Sequence, residues 1–154
     1  MTARRAFVPA SCLLLALTCM PWAVPAPLVG TWTGTQKVTV HVREARGPDR
    51  FVSDTVAITV SIRADGSVEG RVGGATLVGA YVLQNRGWLG RALHFATDFR
   101  LEGRLQDAAF GGDPIPTMDV RAPFGLVGDT LDGTLFQRSG MGVYPMAGLR
   151  LRKR

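Results

Sequence analysis

His41 and His94 are the only histidines in the chain, and they are the first place to look for chemistry. His41 lies in Lys37-Val38-Thr39-Val40-His41-Val42-Arg43, where alternate residues are apolar, so its ring faces away from the apolar side of a strand. His94 lies in Leu93-His94-Phe95-Ala96-Thr97-Asp98-Phe99 and faces outward in the same way. Asp98 shares that face, but four residues along a strand separate the two by about 13 Å. A metal site needs three or four converging ligands, and no such set can be assembled. Both histidines therefore read as structural or solvent-facing. Ser139, in Ser139-Gly140-Met141-Gly142, lacks the strand–turn–helix setting of a nucleophile elbow. Gly73-Gly74 and Gly111-Gly112 precede no helix, which leaves no cradle for a phosphate. The sequence thus predicts a protein that is not an enzyme and holds no metal and no cofactor.

The remaining candidates for acid–base work, Glu69, Glu102 and Asp132, belong to a repeated pattern. It reads Val68-Glu69-Gly70-Arg71-Val72, then Leu101-Glu102-Gly103-Arg104-Leu105, then Leu131-Asp132-Gly133-Thr134-Leu135. In a strand, each copy puts two aliphatic residues and a glycine on one face, and an acidic and a polar residue on the other. The carboxylates then keep an outer surface wet. The glycines mark places where a half-buried strand bends sharply, as the wall of a small barrel must.

Strand-like alternation also marks Thr55 to Ile62, Ala75 to Gln84, and Gly148 to Arg152, with tight turns at Asp65-Gly66 and Asn85-Arg86-Gly87. No stretch has sustained helical periodicity with caps. The expected fold is an all-β, up-and-down antiparallel barrel of about eight to ten strands; a β-sandwich is the alternative. Its interior face would carry Val40, Ile58, Val60, Ile62, Leu77, Tyr81, Phe95, Phe99, Leu101, Leu105, Leu131, Leu135 and Leu149. A barrel of this size either fills itself or holds one small ligand. If the glycines leave room, an apolar ligand would be met by Trp32, Phe95 and Phe99, with Tyr81 as the polar handle. If neighbouring side chains take that room, no cavity forms.

The first 26 residues read as a secretory signal peptide, and 27–154 as one domain. Arg4 and Arg5 form the positive start, Leu13 to Leu17 the apolar heart, and Val24-Pro25-Ala26 a small-residue cleavage site. An uncleaved anchor is long enough to span a bilayer, but Pro9, Pro21 and Pro25 interrupt its helix. Lipid attachment at Cys19, after Ala16-Leu17-Thr18, would tie the protein to a membrane. Arg4-Arg5-Ala6-Phe7-Val8 also has the form of a twin-arginine signal. Both cysteines, Cys12 and Cys19, fall within the leader, so the domain must hold together without disulfides. The predicted location is extracytoplasmic, periplasmic or secreted.

The chain carries a net charge of +6, and its only lysines are Lys37 and Lys153. Arg71, Arg100 and Arg104 alternate with Glu69 and Glu102 on polar strand faces, which suits cross-strand pairing and not a nucleic-acid surface. Arg150, Arg152, Lys153 and Arg154 form one basic cluster at the end.

Gly30-Thr31-Trp32 ahead of a β-meander resembles the calycin group of lipocalins, fatty-acid-binding proteins and avidin-like barrels. Thr97-Asp98-Phe99 is similar to the Thr-Asp-aromatic motif of lipocalins, and Asp65-Gly66 to the Asp-Gly hairpin of avidin-like chains. The resemblance implies that Trp32 closes one end of the barrel beneath Arg150 or Arg152. Two functions remain open on the sequence: a barrel that binds a small apolar ligand, and a non-catalytic envelope interaction or structural module. For the second, the segment Phe110 to Phe124, with its prolines and apolar residues, is the expected contact with a protein or surface partner.

Overall fold

The computed structural model describes residues 23–43, 47–84, 98–140 and 142–154. Its strands are β1 (Gly30–Val42), β2 (Arg50–Ile62), β3 (Ser67–Val72), β4 (Ala75–Gln84), β5 (Phe99–Gln106), β6 (Ala108–Phe110), β7 (Asp113–Ile115), β8 (Met118–Val127), β9 (Thr130–Ser139) and β10 (Gly142–Lys153). Eight of them close into a barrel in the order β1-β10-β9-β8-β5-β4-β3-β2. Each of these neighbours pairs antiparallel. The path is up-and-down, interrupted only where the separate β6–β7 hairpin is inserted between β5 and β8. Among the described residues there is no α-helix, only a 3-10 turn at Ala26–Leu28.

Closure depends on the glycines of the repeated pattern. Their aliphatic flanks, Val68 and Val72, Leu101 and Leu105, Leu131 and Leu135, are all buried. A Cβ on Gly70 would lie 2.5 Å from the Thr59 carbonyl oxygen, and one on Gly133 would lie 2.7 Å from the Phe124 Cβ. Gly103 is equally tight, 2.7 Å from the Ala80 Cβ. The adjacent strand thus presses into the space a side chain would take, and the sheet coils inward at those points. The vacancies that the sequence left open for a ligand are filled by neighbouring strands.

A second glycine reverses a face. Val68 pairs with Ala80 and Gly70 with Leu77, so three steps on β4 meet two on β3. The same extra residue separates the pairs Val78–Arg104 and Tyr81–Glu102 on the β5 side. Gly79 takes the turn with φ +59°, as a bulge residue in the left-handed region does. Beyond the bulge the alternation is inverted. Ala80 and Val82 enter the core, while Tyr81 stands outside, 43% exposed. Strict alternation puts Leu77 and Tyr81 on one inner face, and the bulge overturns this for Tyr81.

Both ends of the barrel are covered by the chain itself. At one end Val24 and Leu28 are buried, and Leu28 offers its carbonyl to the indole N–H of Trp32 at 2.9 Å. Trp32 has no exposed surface. The cation above it is the ammonium of Lys153, 5.3 Å from the ring centroid; Arg150 and Arg152, expected in that role, are exposed. At the other end the β6–β7 hairpin leans on β2, with the Gly111 N–H donating to Asp54 and Arg50 paired to Asp113. It buries Ala108, Phe110 and Ile115. Trp32, Val38, Val40, Leu105 and Phe110 all show no accessible surface. A void large enough for a ligand would leave accessible area on the side chains around it, so packing there is dense.

At the β2–β3 turn, Asp65 accepts from the Ser67 hydroxyl at 2.6 Å and the Ser67 N–H at 2.9 Å. The hydroxyl bond first, then the backbone bond, lowers the Asp65 pKa. A depressed folded-state value means that this contribution is complete above the ordinary carboxylate range and is lost as pH falls through the lowered value. An NMR titration will place the Asp65 midpoint below that of an unfolded-chain aspartate. A Gly133→Ala substitution will destabilise the barrel by about 1–3 kcal/mol through overpacking. Gly148→Ala, where nothing lies within 4 Å of the new atom, will leave the thermal melt unchanged.

Candidate binding site on the outer wall

Of the ligand residues expected from sequence, the described ones, Trp32, Tyr81 and Phe99, do not meet in an interior pocket. Trp32 is sealed beneath Leu28 and Lys153. Phe99 is half-buried and stacks on its cross-strand partner Phe124, with centroids 5.7 Å apart. Phe95 and His94 lie outside the described residues, as do Thr97 and the leader through residue 22. Tyr81 is on the opposite side of the sheet from the core.

Tyr81 instead borders a hollow of about 340 Å³ on the outer wall, with Val78, Glu102, Arg104, Asp119 and Arg138 around it. Strand register builds this surface in two rows. Tyr81, Glu102 and Arg121 align across β4, β5 and β8. Arg104, Asp119 and Arg138 align across β5, β8 and β9. The bulge at Gly79 sets the depth, because it turns Tyr81 outward beside Glu102.

Glu102 is the hub of the upper row. Its Oε2 accepts from the Tyr81 hydroxyl at 3.2 Å. Its Oε1 lies 2.8 Å from the Nε of Arg100 and 3.8 Å from the Nε of Arg121. The Arg100 contact is an ion pair without a hydrogen bond, because the buried Nε–H is not aimed at the oxygen. In the lower row Arg104 and Asp119 are 3.6 Å apart and about two-thirds exposed, a pairing worth little in water. Arg138 forms no ion pair and no hydrogen bond among the described residues. The hollow therefore offers an aromatic ring with its hydroxyl, a carboxylate shared by two arginines, and a guanidinium without an ion pair among the described residues. Among the described residues no three His, Cys, Asp or Glu side chains converge for a metal.

His41 does face outward from the strand, but it is only 5% exposed. Its Nε2 donates to the Asp49 carboxylate at 2.9 Å, and its ring stacks on Tyr144 at 4.0 Å. Beneath it is a feature that the sequence reading missed. The Gln137 amide, also buried, accepts from the His41 N–H at 2.9 Å and donates to the His41 carbonyl at 2.8 Å. A side chain of β9 here replaces strand pairing across the closing seam. β1 and β10 pair only at Trp32–Lys153 and Thr33–Arg152. Further along, β10 carries Pro145, which has no N–H to give, and a register shift between Pro145 and Ala147. Pro145 was the one signal in the sequence that this ladder would break. Ser139 is not hydrogen-bonded to His41.

The segment Phe110 to Phe124 is also not the exposed contact expected of it. Phe110, Ile115, Met118, Val120, Ala122 and Phe124 are all buried, and the exposed residues are mainly polar or proline. It is the end-covering hairpin followed by a wall strand. Comparison with protein-family models, with curated proteins and with solved structures gives no match.

Replacing Gln137 with Leu strands two buried backbone groups of His41, and urea denaturation will show a loss of more than about 2 kcal/mol. Arg138→Gln, at an exposed position with no ion pair among the described residues, will stay within about 0.5 kcal/mol of the parent.

Proposed function

We propose that this chain is an exported, non-catalytic β-barrel module that acts through its outer wall, where the hollow around Tyr81 and Arg138 receives a protein or surface partner. The observation that supports this reading most directly is the contrast between the two sides of the sheet. The inner side is packed against Trp32, Val38, Val40, Leu105 and Phe110, none of which has accessible surface. The outer side bears an exposed aromatic ring, a carboxylate already shared by two arginines, and Arg138, which forms no ion pair among the described residues.

Exposed Tyr and Arg are the side chains that most often anchor an interface. Arg138, without an ion pair among the described residues, favours an acidic or hydrogen-bond-accepting group on the partner, since a guanidinium recognises carboxylate and phosphate in a fixed fork geometry. The same packing speaks for the outer wall over a small apolar ligand held inside. The resemblance to calycins supports the barrel reading through Trp32 and the meander, and fold alone does not choose a ligand.

The test uses a photoreactive residue placed at position 81 of the exported chain. It will give a discrete adduct in the envelope fraction, reduced several-fold by Arg138→Glu. The same probe at the exposed Thr55, on another wall, will give none. A fluorescent fatty-acid analogue at micromolar concentration will show no saturable binding; saturable uptake would return the function to an interior ligand.

A further inference from the structure

We infer that processing of this chain leaves Val24 on the folded domain, so that the scissile bond lies at or before Ala23–Val24 and not after Ala26. The inference rests on reading the N-terminal stretch as an export leader.

The residues around Ala26 are built into the base of the barrel. Val24 is 6% exposed and belongs to the core. Its N–H reaches the Ala64 carbonyl in the β2–β3 turn at 3.4 Å. The Pro25 carbonyl accepts the Leu28 N–H at 2.9 Å, and the Ala26 carbonyl accepts the Val29 N–H at 3.2 Å. Leu28, fully buried, then holds the Trp32 indole. The Pro27 carbonyl holds the Lys153 ammonium at 2.9 Å.

Hydrolysis after Ala26 would give a carboxylate on Ala26 and a new amino terminus on Pro27, with water supplying the hydroxyl and the proton. The departing piece would take Val24 out of the core, and with it the carbonyls that accept from Leu28 and Val29. Unpaired N–H groups beside a buried leucine are costly. The positive terminus created at Pro27 would sit on the residue that already holds the Lys153 ammonium, so like charges would face each other.

A conflict of roles points the same way. A leader peptidase reads small side chains three residues and one residue before the cut. For a cut after Ala26 these are Val24 and Ala26. The fold demands that the same Val24 be buried and that Ala26 begin a turn. Pro27 on the far side of that bond already makes it a poor substrate. A cut on the amino-terminal side of Val24 leaves every one of these contacts intact.

The experiment is the intact mass and N-terminal sequence of the protein recovered after export of the full chain from a bacterial host. The expected product begins at Val24 or at a residue before it. A product beginning at Pro27 or later overturns the inference while keeping the leader. A full-length product beginning at Met1 overturns both, and is distinguishable by mass. Val24→Ala gives a second readout, because alanine is acceptable to the peptidase at that place. The exported variant will differ from the parent by the Val-to-Ala mass and will melt at lower temperature. A variant product identical to the parent in mass and melting would show that Val24 had been discarded.

Discussion

The close approach of neighbouring backbones at Gly70, Gly103 and Gly133 is the constraint on which the rest of the molecule depends. Each of these residues stands between two buried aliphatics, and each would collide with the next strand if it carried a side chain. A sheet built this way cannot lie flat. It curls until β1 meets β10 and the eight-stranded sheet closes on itself. Because the approach is close, these glycines add no open volume to the interior.

The outer wall follows from that geometry. Strand coiling brings Tyr81, Glu102 and Arg121 into one row and Arg104, Asp119 and Arg138 into the next. Within these rows the charges neutralise one another unevenly. Glu102 serves two arginines and a tyrosine hydroxyl, whereas Arg138 has no partner among the described residues. That imbalance is the chemical character of the surface.

The barrel was legible because its signals are local and periodic. Alternation identifies strands, Asp65-Gly66 a hairpin, and the repeated glycines a bend, so the all-β closed architecture could be read from the chain. The candidate site was less legible. Tyr81 was assigned to the core because a strict period of two was carried through Gly79, and a single bulge inverts everything after it. The swap of Arg150 or Arg152 for Lys153 over Trp32 has a similar cause: alternation puts both arginines outside, and the register of β1 on β10 sets Lys153 opposite Trp32. Gln137 was invisible because its partner lies 96 residues away. The apolar residues of Phe110 to Phe124 were read as exposed because nothing local announces that a short hairpin will fold back over the barrel's end.

The join between β1 and β10 also bears on how the molecule is made. The Arg154 N–H bonds the Thr31 carbonyl, so the strands emerging first and last from the ribosome complete one another. Until β10 arrives, β1 has a bare flank along its whole length, and the seam that finally covers it is held by two backbone pairs, the Arg154–Thr31 bond and the side-chain amides of Gln36 and Gln137. Such a high-contact-order closure is slow to form. Newly made chains consequently pass through an interval in which a β-rich intermediate displays a sticky flank, and their yield becomes a race between self-capture and capture by a neighbour.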